Sequence, residues 1–426
     1  MISFLPNFVV IMLLVVGLGF FNEKVTKITD EIALMLYSII IGAVLLAVAV
    51  FISNRDIQII LERIQLFDLE KYLMDCVLCF MLFAGSCHMK LWDFERMARQ
   101  VGVLSFLCTL LGALLYGFSF YGFSKLLSLN FSLPVCLMFG SIVAPTDPIA
   151  ATSILSKFGL PKKISFLMEG ESLLNDGVGV ALFVCFSGIV RASHGDNVLI
   201  VLLREVLGAA VIGFVISALC IFVFAKTADF HRKIFASLLA VAAAYMLCEI
   251  FSCSGAIASV VCGIMFSTVR RYEKSIGQVE AMKHFDTFWD ILDNMLNSVL
   301  YVILGLSFVR ILQMPYVMVL SLIAVICNCI GRAGSLALSV PALGEIPEGY
   351  DWKYFTLLFT WGGLRGGLSI ALAMSTAPML DVTTYRIVLG GTYAIVFFTT
   401  VIQGLTMQRV YSWISGRVAA LRSKSI

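Results

Sequence analysis

The sequence predicts an all-α polytopic membrane protein of about 13 transmembrane helices, built as two inverted six-helix repeats with crossed discontinuous helices. Three observations predict it. The 426-residue chain is 60% hydrophobic and 13% charged, with a mean hydropathy of +0.98, far from the composition of soluble domains. Its apolar runs recur at membrane-crossing length. Two of those runs, the fifth and the twelfth, carry helix breakers near their centres: Pro145 and Pro148 in one, Gly362, Gly363, Gly366 and Gly367 in the other.

The expected spans lie near 4–21, 32–53, 72–89, 100–122, 132–153, 165–190, 198–225, 232–250, 253–269, 286–309, 314–340, 354–377 and 386–408. No basic run precedes residue 4 and no small-residue cleavage pattern follows, so the first reads as a retained span rather than a signal peptide. Between 232 and 269, Glu249 and a Ser-Cys-Ser-Gly stretch leave the division point open. The 12 cysteines, Cys79, Cys108 and Cys220 among them, sit mostly inside apolar runs and read as small buried hydrophobes rather than disulfide partners.

An odd number of spans puts the termini on opposite faces, and the basic residues say which face is cytoplasmic. With the N-terminus outside, the inner loops and tail hold 20 basic residues, Lys24, Lys157, Lys233 and Arg270 among them. The outer loops hold 8, including Arg55, Arg63, Lys71 and Arg310, and intramembrane Arg332 and Arg365 complete the 30. This bias predicts a multi-pass plasma-membrane protein, in a bacterium the inner membrane, with a cytoplasmic C-terminus and lipids as its surroundings. The alternation accounts for the charges without a nucleic-acid partner. The glycine-rich segment lacks the strand-turn-helix context of a nucleotide site. The four histidines, His88, His194, His231 and His284, lie near loops without metal-ligand spacing. Neither an enzyme nor a resident cofactor is expected.

Asp147, in APTDPIA (144–150), and Asp176, in EGESLLNDGVG (169–179), fall within membrane-length apolar stretches. A carboxylate at that depth costs at least a few kcal/mol, so such residues face a water-filled path or a partner and serve ions or protons. Pro145 and Pro148 each remove an amide donor and unwind the helix around Thr146 and Asp147. Freed carbonyls and the Thr146 hydroxyl are then available to a small cation alongside the Asp147 carboxylate. A simple proline kink leaves the adjacent carboxylate unexplained.

In the sixth span Ser172 and Asp176 share a helix face, and Glu171 and Asn175 share the neighbouring one. Ser172 and Asp176 extend the Asp147 site, since a hard monovalent cation prefers oxygen ligands. Glu171 needs an opposite charge if buried, and Arg332 in the eleventh span is its expected partner, as a structural bridge rather than an ion handler. Glu169 reads equally as a hydrated funnel residue or an interfacial charge. Arg365 is open between placing positive charge near the crossing, to compensate helix C-termini or limit cation occupancy, and pairing structurally near an interface. Asp290 and Asp293 in the tenth span fit a solvated vestibule. The interrupted fifth and twelfth spans are seven apart, so two six-span repeats with one linking span would place the breaks equivalently and in opposite directions.

The segments FGSIVAPTDPIA, EGESLLNDGVGVALF and GGLRGGLSIALA resemble the signatures of the NhaP-type antiporters of the monovalent cation:proton antiporter-1 family, and the resemblance spans essentially the whole chain. It implies a secondary active antiporter that exchanges Na+ or Li+ for H+ by elevator-like alternating access. It implies a homodimer with an interface domain (1–99 and, with a linker helix, 191–309), an ion-transport core (100–190 and 310–408) and a short tail (409–426). Carried over residue by residue, the Na+ and proton site would be Asp147, Asp176, Thr146 and Ser172, supported by Asn175, Glu171, Arg332 and Arg365. Asn175 before Asp176 matches the electroneutral branch, which implies one cation per proton. Relatives with LFEG in the third span have an acid where this chain has Ala84; Asp75, about two and a half turns earlier, is no positional substitute. A K+/H+ exchanger with the same oxygen ligands remains the alternative, because selectivity depends on cavity geometry. A cation channel could use the same carboxylates but would pass current without obligatory proton exchange.

Overall fold

The structure, a computed structural model, describes residues 4–52, 77–87, 91–129, 131–147, 151–152, 155–156, 158–192, 204–312, 315–346 and 350–424. Pro148, Asp75, Arg55, Arg63, Lys71, Lys157, His88 and His194 lie outside these residues.

All regular structure among the described residues is helical. The first half contains α1 (Phe4–Phe21), α2 (Asp30–Ile52), α3 (Leu78–Cys87), α4 (Leu91–Gly102), α5 (Thr109–Leu126), α6 (Leu133–Ile142) and α7 (Lys162–Ala192). The link α8 (Ala209–Lys226) leads to α9 (Phe230–Ile250), α10 (Gly255–Ser275), α11 (Val279–Leu312), α12 (Pro315–Leu343), α13 (Trp352–Trp361), α14 (Gly367–Met374), α15 (Val382–Phe397) and α16 (Gly404–Lys424). Among the described residues nine helical stretches are long and apolar enough to cross a membrane, and α3 and α6 are shorter apolar helices. With α10, whose last turns are charged, and the interrupted α13–α14 pair, these account for the expected crossings.

Local chemistry sets the boundaries. The open question between 232 and 269 is settled at Phe251–Ser254: Ser252 takes a left-handed φ of 51°, and the Ser254 hydroxyl accepts from the Ile257 amide at 3.4 Å to start α10. α6 begins with a proline in its first turn and stops before Pro145, where residues 144–147 run without helix. α11 spans 34 residues, against the shorter 286–309 expected. At about 1.5 Å per residue it exceeds the roughly 30 Å hydrocarbon layer. Its first turns, VEAMKHFD, are polar enough to hide from a hydropathy count. α15 likewise continues through a π-helical stretch, Phe398–Gln403, into α16.

Packing follows an inverted-repeat pattern. α2 packs along α11, and α3 along α10. Exchanging the halves converts the second-with-tenth span contact into the ninth-with-third one. α5 packs on α12, its own counterpart, and each carries its repeat's interrupted span, α6 on α5 and α13 on α12. The α5–α6 approach is close: a Cβ added at Gly140 would strike the carbonyl of Ala113 and sit 3.2 Å from the Gly117 amide nitrogen. Gly140→Ala is expected to cost about 1–3 kcal/mol of stability, read as a lower melting temperature in detergent. Outward faces are apolar, as lipid contact requires: Leu13, Val16 and Phe20 on α1, Phe214, Leu219 and Phe222 on α8.

One expected loop charge is not in a loop. Lys233, assigned by sequence to the basic inner face, is fully buried in the first turn of α9. Its Nζ lies 2.7 Å from Glu273 Oε2 and donates to the Phe224 carbonyl at 2.9 Å, capping the end of α8 and tying α8, α9 and α10 together. The Lys233 ammonium lies over the ring of Phe224, which packs in one cluster with Phe266, Phe285 and Trp289, so its distance from water is offset by a carboxylate, a carbonyl and an aromatic face.

Candidate functional site

The two interrupted spans meet at their breaks. Residues 144–147 follow α6 and residues 363–366 separate α13 from α14, both without helix. The Asp147 amide donates to the Leu364 carbonyl at 2.8 Å, joining the segments directly. Unwound backbone inside a membrane must find partners, and here each break finds them in the span that follows it. In the first half, the Ser172 hydroxyl donates to the Thr146 carbonyl at 2.6 Å, and the Thr146 amide donates to Asn175 Oδ1 at 3.4 Å. Asn175 Nδ2 donates in turn to the Thr146 hydroxyl at 2.6 Å. In the second half, the Arg365 amide donates to the Thr399 hydroxyl at 3.0 Å, and the Thr400 hydroxyl donates to the Arg365 carbonyl at 3.1 Å. Thr399 and Thr400 lie in the π-helical stretch between α15 and α16, a deviation that re-aims side chains at such sites.

Arg365 lies at this crossing, buried. Its Nη1 donates to the Ala144 carbonyl and, at 2.7 Å, to the Pro145 carbonyl; its Nη2 donates to Asn328 Oδ1 at 3.1 Å. Of the two readings open for Arg365, the contacts match compensation of a helix C-terminus, that of α6. They also change the ligand inventory. The carbonyls of 144 to 146, free on the sequence reading, are already hydrogen-bonded, and so is the Thr146 hydroxyl. Asp147 and Asp176 are the charged oxygen donors on this wall of the cavity.

A cavity of about 530 Å³ reaches the crossing and is lined by Asp147, Asp176, Thr146, Ser172 and Gly366. Gly366 has a reason to lack a side chain: an added Cβ would come within 3.1 Å of Asp147 Oδ2. α11 contributes Asp290, Asp293 and Asn297 to the same lining. Near the mouth, Asp286 binds both Arg270, at 2.9 Å, and Lys274, at 2.6 Å. Glu169 also lines the cavity, its Oε1 accepting from the Ser165 hydroxyl at 2.9 Å, which fits the funnel reading of this exposed residue. With Asp147, Asp176, Asp290 and Asp293 on its walls the interior favours cations.

Glu171 and Arg332 are both buried and lie off this lining. Arg332 Nη1 is 2.5 Å from Glu171 Oε1, and its Nη2 and Nε donate to the Phe359 carbonyl at 3.1 and 3.3 Å. The pair ties α7, α12 and the end of α13 behind the crossing. Ala84 is buried in the aromatic cluster around Trp289. Its neighbours Met81 and Gly85, not Ala84, line the cavity.

Sequence reasoning missed Asn328, Thr399, Thr400 and Tyr301. The threonines had a signal: they sit in the span equivalent to the one carrying Ser172 and Asn175. Tyr301, whose hydroxyl lies 3.4 Å from Asp147 Oδ2, had none beyond its spacing of four from Asn297.

The sequence profile described as "Sodium/hydrogen exchanger, transmembrane" matches residues 3–413. The chain is 27% identical to the Na(+)/H(+) antiporter NhaP of Pseudomonas aeruginosa, covering 93% of this chain and 94% of that protein. It is 28% identical to the Na(+)/H(+) antiporter NhaH of Halobacillus aidingensis, over 91% and 92%. Its fold superposes on the sodium proton antiporter MjNhaP1 of Methanocaldococcus jannaschii at pH 8 with a TM-score of 0.72 and 22% identity, covering 98% of this chain and 97% of that one. The thirteen-span inverted-repeat fold and the profile match along nearly its whole length place this chain in the sodium/hydrogen exchanger family.

Proposed function

We propose that this protein is a secondary active antiporter that exchanges Na+ or Li+ for H+, one cation per proton. The observation that carries the reading is the placement of Asp147 and Asp176 together on the wall of a cavity that ends at the crossing of two broken helices. A dehydrated cation there is met by carboxylate charge, and a proton on the same carboxylate removes that charge. Cation and proton therefore compete, and competition for one site is what couples their movements. Thr146 and Ser172 complete the proposed site, the first through its remaining hydroxyl lone pair and the second by holding the break in register. Asn175 does likewise and carries no titrating charge, which supports the one-for-one ratio.

The cavity lies between two groups of helices, and this supports alternating access by relative sliding. Residues 100–190 and 310–408 would form the moving core, 1–99 and 191–309 the stationary interface domain of a homodimer, and 409–426 a short cytoplasmic tail. Bacterial relatives and the basic-residue bias support an inner-membrane location with the N-terminus outside.

Proteoliposomes test the function. An outward sodium gradient should drive proton uptake into the lumen, with lithium substituting; no proton response to sodium, lithium or potassium sinks antiport, and a response to potassium alone transfers the site to a K+/H+ exchanger. The ratio is read from the reversal condition at several clamped potentials. A proton gradient equal to the sodium gradient and in the same direction, both ions more concentrated in the lumen, should stop one-for-one exchange at every voltage, whereas a voltage-dependent reversal point excludes it.

Ser172→Ala and Thr146→Val each remove one hydrogen bond across the break. Each is expected to raise the half-saturating sodium concentration by about fivefold, the equivalent of one neutral hydrogen bond, with the protein still folded. Unchanged concentration dependence in both variants removes these hydroxyls from the site.

A further inference from the structure

We propose that Tyr301 is the residue that restrains the empty, charged carrier, by donating its hydroxyl hydrogen to the Asp147 carboxylate. Tyr301 lies on α11 and is 2% exposed, and its hydroxyl is 3.4 Å from Asp147 Oδ2. Asp293, Asn297 and Tyr301 follow one another at intervals of four residues along α11, so they share one face. Asp293 and Asn297 line the same cavity as Asp147. Tyr301 is the end of that polar row, where it meets the broken span.

The inference rests on the antiport reading and extends it. Asp147 belongs to the crossing, the part that must change its exposure, and Tyr301 to the long helix α11. The bond between them therefore crosses the surface along which the two parts would slide. A phenol donates best to an ionised carboxylate, and such charge-assisted bonds are about twice as strong as neutral ones. When Asp147 holds a proton or a cation, its charge is compensated and the bond weakens. The contact thus opposes sliding most when the site is empty. An empty carrier that crosses returns without its exchange ion and converts antiport into a sodium leak. Tyr301 is a positioning residue in this scheme, acting through Asp147.

The experiment compares the full-length protein with Tyr301→Phe in proteoliposomes by radiolabelled sodium flux. Sodium-for-sodium exchange at equal sodium on both sides requires only the loaded carrier. Net sodium efflux into sodium-free medium, with both sides buffered alkaline and the potential clamped at zero by potassium and valinomycin, requires return of the empty one. Tyr301→Phe should retain sodium-for-sodium exchange while net efflux rises about tenfold, the equivalent of one charge-assisted hydrogen bond. Unchanged net efflux with exchange intact overturns the proposal. So does loss of sodium-for-sodium exchange, or failure of the variant to accumulate in the membrane, since either gives the hydroxyl a different role. Absence of all sodium flux from the unaltered protein would count instead against antiport itself.

Discussion

Asp147→Asn and Asp176→Asn should each reduce sodium-driven proton movement to near background, a loss of at least about 100-fold, while leaving the fold intact. The magnitude follows from the charge removed. Stripping one partner from a dehydrated ion costs about 3–5 kcal/mol, and each 1.4 kcal/mol is a factor of ten. Asparagine keeps the shape of the side chain, and the contact most exposed to the change is the Asp147 carboxylate's approach to Tyr301. The Asp147 amide bond to Leu364, which holds the crossing, is made by backbone and survives. Melting temperature in detergent should therefore move little. Robust pH-dependent exchange in both folded variants would refute the assignment of these carboxylates to the site.

Glu171 and Arg332 should respond in the opposite way, through stability. Glu171→Gln leaves a buried guanidinium without its counter-charge, and Arg332→Met leaves a buried carboxylate and an unserved Phe359 carbonyl. Each single change is expected to destabilise by about 3–5 kcal/mol, and the double change by less than the sum, because no lone charge remains buried. Unfolding of a membrane protein in detergent is irreversible, so the comparison is of melting temperatures rather than equilibrium free energies. Additive shifts reject the coupling. Residual exchange in whatever fraction folds separates this pair from Asp147 and Asp176.

Much of this molecule was legible in one dimension, for physical reasons. Lipid forces every span to be a long apolar helix, so spans can be counted. Two prolines three positions apart and two glycine pairs four apart are dense enough clusters of helix breakers that the breaks at 144–147 and 363–366 stand out. A buried carboxylate is conspicuous for the same reason, which is why Asp147, Asp176 and Glu171 could be singled out. What was not legible falls into two kinds. Single neutral polar residues such as Asn328 and Tyr301 are cheap in an apolar helix and give no periodic signal, so their partners emerge only from tertiary packing. And Lys233 looked like a loop charge because a sequence window cannot see Glu273, forty positions away. The carbonyls of the first break were open to a cation on paper; their occupation by Arg365 depends on two segments 220 and 221 positions apart meeting face to face.

That meeting has a hereditary consequence. Each break is pinned through its own backbone by hydroxyl or amide side chains from its own repeat, and each is also bonded to the other break, by the Asp147 amide on one side and the Arg365 guanidinium on the other. A duplicated ancestral segment would have supplied the same polypeptide path twice. The two breaks carry opposite signs, a carboxylate at Asp147 in one and a guanidinium at Arg365 in the other. Neither copy can now drift alone. Among descendants of this chain, residues 144–147 and 364–366 should change in concert or not at all, as a single inherited unit written in two distant places.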